Sequence, residues 1–231
     1  MQGGKHTVLV CAAHPDDEVL GCGGVMARHA DNGDTVHVLL VADGVGSRGK
    51  DERSAVAEIE ERRSAAVRAA VVLGASPPRF LDFPDQRLDT VPLLEITQAI
   101  EAVTREITPE IVYTHHAGDL NADHRMVALA TLTACRPLPG SCVRAIYGFE
   151  TQSSTGWAAG AAGPEFLPVR FVAIAGTLAR KLDALHAYEY EMCAFPHARS
   201  YAAIEALARF RGVSVGVEAA EAFTVLREIK V

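Results

Sequence analysis

The stretch Thr7-Val8-Leu9-Val10-Cys11-Ala12-Ala13-His14-Pro15-Asp16-Asp17-Glu18 decides the fold. Its uncharged run, Thr7–Ala13, goes straight into a histidine, a proline and three acids. Apolar side chains at successive positions suit a central parallel strand, which is covered by helices on both faces. Val19–Asn32 then reads as a helix ended by the turn Asn32-Gly33-Asp34, and Thr35–Ala42 as a second strand. Strand, helix, strand is the repeating unit of a parallel sheet, and it puts the acidic loop at a strand's carboxyl end, where such sheets bind ligands.

The alternation continues outward. Asp43–Arg53 is polar and glycine-rich and reads as a loop at another strand's carboxyl end. Ser54–Leu73, rich in Ala and Glu and stopped by Gly74, is a helix. Arg79–Phe83 is a short strand, Pro92–Ile107 a helix and Ile111–Thr114 a strand. His124–Arg136 is a helix closed by Pro137, and Val143–Glu150 another strand. Further on, Gln152–Gly163 reads as a loop and Phe171–Ile174 as extended, with helices over Thr177–Glu191 and Tyr201–Phe210. The pattern shows no internal repeat and no linker. It predicts one α/β domain over residues 1–231, a largely parallel sheet flanked by helices.

Composition narrows the function class. With 22 basic and 29 acidic residues the net charge is −7, the wrong sign for a general nucleic-acid binder. No apolar run approaches the roughly 20 residues that span a bilayer, so no transmembrane segment is expected. The short N-terminal apolar run lacks the form of a secretory leader. Five scattered cysteines without a CxxC pair suit reduced thiols in a cytoplasm. The cluster Gly21-Cys22-Gly23-Gly24 fails the dinucleotide fingerprint, since Met26 stands where its last glycine belongs.

Two strand ends carry the chemistry. The first holds His14 and its three carboxylates. The strand at Ile111–Thr114 runs into His115-His116-Ala117-Gly118-Asp119-Leu120-Asn121-Ala122-Asp123-His124-Arg125. Acids standing alone behind a strand would read as a helix cap and first turn. Two such loops at one sheet edge read better as a cation site, because adjacent carboxylates repel unless a positive charge offsets them. His14, one acid of the first loop and a histidine of the second would give the three ligands of a catalytic zinc, with a position left for water.

His14-Pro15-Asp16-Asp17-Glu18 with Gly21-Cys22-Gly23-Gly24, and later Asp119 to Arg125, resemble the PIG-L or LmbE family of zinc-dependent N-acetylglucosamine deacetylases. The likeness extends to Arg62–Gly74, to Phe83-Pro84-Asp85 and to Arg211-Gly212 through Ala220-Glu221-Ala222-Phe223. It implies a Rossmann-like, mostly parallel sheet with a smaller C-terminal helix and strand portion. It implies His14, Asp17 and His124 as zinc ligands and Asp16 as general base to a zinc-bound water. Arg62 and Asp85 match positions that contact the sugar, and Asp123 is a candidate to orient a histidine. The implied partner is a small amino sugar or glycoconjugate, with homo-oligomers common in the family.

One departure affects the acid. Many members carry a histidine three positions before the last ligand, where this chain has Asn121, an amide that can donate to an oxyanion but not act as an acid. His115 or His116 would then reach in from the strand end, and strand alternation allows only one of them to do so; His116 is the favoured candidate. His197 is a further candidate for the pocket wall, whereas His6, His29, His37 and His186 read as structural. The aromatics of Tyr188-Glu189-Tyr190-Glu191 read as packing or interface residues. The ligand set is equally compatible with an amidase acting on another sugar conjugate or antibiotic glycoside. A nucleotide- or sugar-binding module without catalysis is the remote alternative.

Overall fold

The computed structural model describes residues 5–46, 52–161 and 163–230. The first half alternates β1 (Thr7–Ala12), α1 (Asp17–Asp31), β2 (Thr35–Ala42), α2 (Glu52–Leu73), β3 (Arg79–Phe83), α3 (Leu93–Ile107), β4 (Ile111–His115), α4 (Ala122–Ala134) and β5 (Ala145–Phe149). The second half adds β6 (Arg170–Ala173), α5 (Leu178–His186), α6 (Tyr201–Val213) and β7 (Ala220–Glu228). The seven strands lie in the order β3-β2-β1-β4-β5-β7-β6, and β7 runs antiparallel to both of its neighbours. The fold is therefore α/β with a mostly parallel sheet, as expected.

β1 sits in the middle and is buried on both faces. Val8, Val10 and Ala12 join the core beneath α1, α2, α5 and α6, while Leu9, Cys11 and Ala13 join the core beneath α3 and α4. The uncharged run is thus divided residue by residue between two layers, each full burial of a Val or Leu contributing about 1.5–3 kcal/mol.

Some boundaries differ from the sequence expectation. The helix expected from Ser54 already begins at Glu52, which takes the last residues of the expected Asp43–Arg53 loop; residues 47–51 of that loop lie outside the described residues. The helix expected over Thr177–Glu191 stops at His186, and Glu189–Glu191 forms a separate 3-10 turn. β7 is the element the pattern hid. Ala220-Glu221-Ala222-Phe223 has helix-forming residues, but pairing on both sides with β5 and β6 overrides that preference.

α1 is not one continuous helix. Cys22 has φ −148° and ψ 22°, a break that frees backbone groups on either side. The Glu221 carboxylate from β7 accepts from Gly24 N at 3.0 Å and Val25 N at 2.7 Å. Lys181 of α5 donates to Leu20 O at 2.8 Å and pairs with Glu221. Both side chains are only 5% exposed, so the break is braced by an internal ion pair. The glycine cluster also serves packing: a Cβ on Gly21 would lie 2.2 Å from Phe149 Cδ2, and one on Gly24 2.7 Å from Ile174 Cδ1. Among the described residues no helix is long and apolar enough to cross a membrane.

Candidate metal centre and active site

The β1–α1 loop folds on itself before it meets anything else. Asp17 N donates to His14 O, and His14 N donates to Asp17 Oδ2 at 3.0 Å, which fixes these two side chains side by side. Asp16 between them has φ 118°, a left-handed geometry costing a non-glycine residue of order 1–3 kcal/mol. The three consecutive carboxylates then separate. Asp17 turns to the histidines and Asp16 to Arg199, which donates to its Oδ2 at 2.7 Å. Glu18 turns back to accept from Asp16 N at 3.1 Å and from the Tyr188 hydroxyl at 2.6 Å. Burial pushes Glu18 up to about 8, against the pull of the Tyr188 hydrogen bond. Glu18 thus supports the loop rather than adding to the cation site.

His14, Asp17 and His124 are brought together with one donor atom of each within 4.8 Å of the others. Asp17 Oδ2 stands 3.1 Å from His14 Nδ1 and 3.1 Å from His124 Nε2. The far nitrogen of each histidine is occupied. His14 Nε2 lies 3.0 Å from Asp123 Oδ2 and 3.1 Å from Asp85 Oδ1, and His124 Nδ1 lies 3.2 Å from Asp119 Oδ1. A carboxylate behind each imidazole fixes its tautomer and leaves the inward nitrogen as a lone pair, the arrangement metal-binding histidines require. Asp17 Oδ1 and His124 Nε2 are buried with no hydrogen-bond partner. Orphaned acceptors at the centre of a buried His/Asp cluster fit a divalent cation with nitrogen and oxygen ligands, zinc among them. His14, Asp85 and Asp123 form a second possible donor group, but Asp123 is already engaged by Gln86 N at 2.7 Å and Leu88 N at 3.0 Å.

The electrostatics show the same need for positive charge. Burial alone would raise Asp17, yet His124, His115 and His14 hold it well below the usual carboxylate range. Burial opposes a charged His124, but Asp17 and Asp119 push it up to about 9. Burial likewise opposes the His14 cation, and hydrogen bonds to Asp123, Asp17 and Asp85 carry it well above its ordinary value. Without a metal these carboxylates draw protons onto the imidazoles, so cation binding competes with protons for the same lone pairs.

Over this cluster lies a cavity of about 260 Å³ walled by His14, Asp16, Gly44, Arg62, Asp85, Gln86, Asn121, Glu191 and Arg199. Arg62 and Asp85, expected at the substrate, both line it, and both have other partners. Arg62 donates to Glu191, and Asp85 stands beside His14 Nε2. Gly44, at φ +76°, follows β2, and a Cβ there would meet Pro15 Cδ at 3.1 Å and Arg62 Nη1 at 3.2 Å. Asn121 caps α4 by accepting from Asp123 N at 2.9 Å, so what it offers the cavity is its NH2 donors. Burial pushes Asp16 up to about 7, moderated by the Arg199 guanidinium. Its Oδ1 is buried and unpartnered.

His116 is not brought to this cavity. Its Nε2 bonds to Pro164 O at 2.8 Å, its ring meets Phe166 edge-on, and it lines a separate cavity with Gly118, Glu150 and Arg211. Of the two strand-end histidines, the one that turns towards the donor cluster is His115. That ring stacks on His124 at 3.9 Å and accepts from Ala13 N at 2.9 Å, and it does not line the cavity either. His197 accepts from Arg199 N at 3.0 Å and lines an outer groove with Trp157 and Phe210. Sequence reasoning passed over Asp119, Glu191 and Arg199. Asp119 lay inside a quoted motif, whereas Glu191 and Arg199 reach the site from a segment with no motif of its own.

A His/Asp donor cluster at the carboxyl edge of a parallel sheet, with an unpartnered carboxylate oxygen beside it, defines an α/β protein with a group able to hold a metal ion. Residues 9–135 match the family model described as PIG-L, GlcNAc-PI de-N-acetylase, and the chain belongs to that family. YaiS of Escherichia coli strain K12, described as an uncharacterized deacetylase, is 34% identical over 152 residues, 64% of this chain and 75% of that protein. The 1D-myo-inositol 2-acetamido-2-deoxy-alpha-D-glucopyranoside deacetylase of Rhodococcus jostii RHA1 is 32% identical over 56% of this chain and 53% of its own length. The chain thus spans three quarters of the first relative and about half of the second. The architecture also matches the 4-carboxy-2-hydroxymuconate hydratase of Pseudomonas putida KT2440, with a TM-score of 0.78, 22% identity and 98% of each chain covered. That likeness concerns the fold.

Proposed function

We propose that the chain is a zinc-dependent hydrolase that removes the N-acetyl group from an N-acetylglucosamine-type sugar or glycoconjugate. The observation that carries this reading is the pairing of orphaned metal-type donors, Asp17 Oδ1 and His124 Nε2, with an orphaned carboxylate oxygen, Asp16 Oδ1. His14, Asp17 and His124 would hold the ion, which when bound supplies Lewis-acid polarisation of the amide carbonyl and activation of water.

The side chains divide the remaining work. Asp16 Oδ1 accepts a proton from the attacking water, and the same carboxyl then returns it to the nitrogen of the departing amine. A group near pH 7 is suited to both transfers. This division needs no strand-end histidine as acid, consistent with where His116 lies. The Asn121 NH2, on the cavity wall, would donate to the developing oxyanion. Arg62, Asp85 and Gln86 form a polar wall suited to sugar hydroxyls. Acetate and a free amino sugar are the products.

The test combines metal analysis with an acetate-release screen over free N-acetylglucosamine and its nucleotide-linked, lipid-linked and glycoside forms. Acetate from at least one is expected. Because the same architecture carries a hydratase, acetate and free amine are the readouts that decide, and their absence with every acetamido substrate would overturn the deacetylase reading. Amine release from another acylated sugar conjugate would move the assignment to an amidase using the same site. Asp16→Ala should lower kcat by about 10²–10⁴-fold with zinc retained; a variant as active as the parent would remove Asp16 from the mechanism.

A further inference from the structure

We infer that Arg199 is a positioning residue that clamps the Asp16 carboxylate by Oδ2, so that Oδ1 alone is left to take the proton. The inference rests on the proposed hydrolytic reading and adds a residue to it from outside both motifs.

Among the described residues, the hydrogen bond from Arg199 Nη1 at 2.7 Å is the one bond recorded to the Asp16 carboxylate. The main chain of Asp16 is fixed by Glu18 and by the first turn of α1, whereas its buried carboxylate is oriented by the guanidinium on Oδ2 and has no hydrogen-bond partner on Oδ1. Arg199 is itself held from several directions. Its Nε donates to Ser153 Oγ at 3.0 Å, its Nη1 also approaches Glu191 Oε2 at 3.4 Å, and its backbone N donates to His197 Nδ1 at 3.0 Å. The next residue, Ser200, is buried and caps α6 by accepting from Ala203 N, so the guanidinium projects from a rigid helix start.

Glu191 extends the clamp. It also accepts from Arg62, which lines the same cavity. Asp16, Arg199, Glu191 and Arg62 form a chain of alternating charge, two negative and two positive, that ends on the carboxylate beside the metal ligands. A planar guanidinium can hold Ser153, Asp16 and Glu191 together in fixed directions, which a lysine ammonium on a flexible stem cannot reproduce. Without the clamp the Asp16 carboxylate loses the hydrogen bond that orients it, and a loss of alignment near 1 Å at a reacting atom costs about 10²-fold in rate.

Kinetics, chemical rescue and a crystal structure of the zinc-loaded protein test the clamp. Arg199→Ala should lower kcat by about 10²-fold with KM and zinc content nearly unchanged. Guanidinium added at sub-denaturing concentration should restore part of that loss, and Arg199→Lys should fall between the two. A crystal structure of Arg199→Gln should show the Asp16 carboxylate rotated from its native position; this variant also replaces the alanine form if that does not fold. Turnover of Arg199→Ala or Arg199→Gln at the parent rate, or an Asp16 carboxylate unmoved in the Arg199→Gln crystal, would overturn the inference. If the parent releases no acetate from any substrate, the hydrolytic reading fails, and the crystal structure still decides whether Arg199 holds Asp16.

Discussion

His14 Nε2 stands 3.0 Å from Asp123 Oδ2, across 109 positions of sequence, and this contact joins the two motif loops into one site. Asp123 also accepts from the backbone of Gln86 and Leu88, so a single carboxylate ties the α4 start to the β3 exit and to a metal-type ligand. Asp123→Asn replaces one acceptor by an NH2 that meets donors on every side. It should reverse the tautomer preference of His14 and weaken zinc binding by about 10–100-fold. Competition with a chromophoric chelator measures this, and an unchanged affinity would show that Asp123 does not orient His14.

The brace at the break in α1 makes a prediction about stability rather than chemistry. Glu221→Ala removes the acceptor of Gly24 N and Val25 N and leaves the Lys181 ammonium buried without its counter-charge. Breaking a buried pair in this way costs about 3–5 kcal/mol. Replacing both partners with apolar residues, as in Lys181→Met with Glu221→Leu, removes the stranded charge. It still leaves the two amides unpaired, so the double variant should recover only part of the loss. Urea midpoints at constant slope are the measurement; a Glu221→Ala protein as stable as its parent would mean that the break needs no brace.

Which features were legible in the sequence follows from how far apart the cooperating residues lie. Thr7–Ala13 declared a two-sided strand because both of its faces must be apolar, a local property. That two loops rich in His and Asp meet at one sheet edge was legible because each follows a strand, whereas the choice of Asp17 and His124 within them came from the family resemblance. The structure brings those two and His14 within 4.8 Å of one another. Arg199 and Glu191 were not, since an ion pair over 183 positions between Asp16 and Arg199 leaves no periodicity or spacing to read. The hidden strand β7 has the same cause: its pairing partners, not its own Ala-Glu-Ala-Phe composition, decide its state. For His115 and His116 alternation requires that the two side chains diverge, but it does not say which of them faces the site.

Gly21 gives a test of packing at the motif itself. A methyl group there would lie 2.2 Å from Phe149 Cδ2, and Phe149 is fully buried on β5. Gly21→Ala should therefore destabilise by about 1–3 kcal/mol through overpacking, despite the better helix propensity of alanine. Adding Phe149→Leu should make the pair less destabilising than the sum of its singles, because the leucine yields the space the methyl needs. Thermal or urea denaturation of the two single variants and the double completes the cycle, and strict additivity would place the strain elsewhere.

The pH response of folding is predicted from His29, which lies partly buried between α1 and the sheet. Its Nδ1 meets Asp34 Oδ2 at 2.6 Å and its Nε2 meets the Tyr113 hydroxyl at 3.1 Å. Burial disfavours the charged imidazole more than Asp34 favours it, so His29 is held below its ordinary value of 6.5. Between that lowered value and about 6.5 the unfolded chain binds more protons than the folded one, and stability rises with pH wherever this holds. The contribution of His29 is thus fully present above about pH 6.5 and is lost as the pH falls through the folded value. His29→Gln cannot titrate, so its stability should depend less steeply on pH between about pH 5 and 7 than that of the parent. Comparing the two proteins cancels the groups they share, including the raised imidazoles His14 and His124, whose sign is opposite. Urea midpoints taken across that interval check it, and parallel pH curves for the two proteins would show that His29 is not the group responsible.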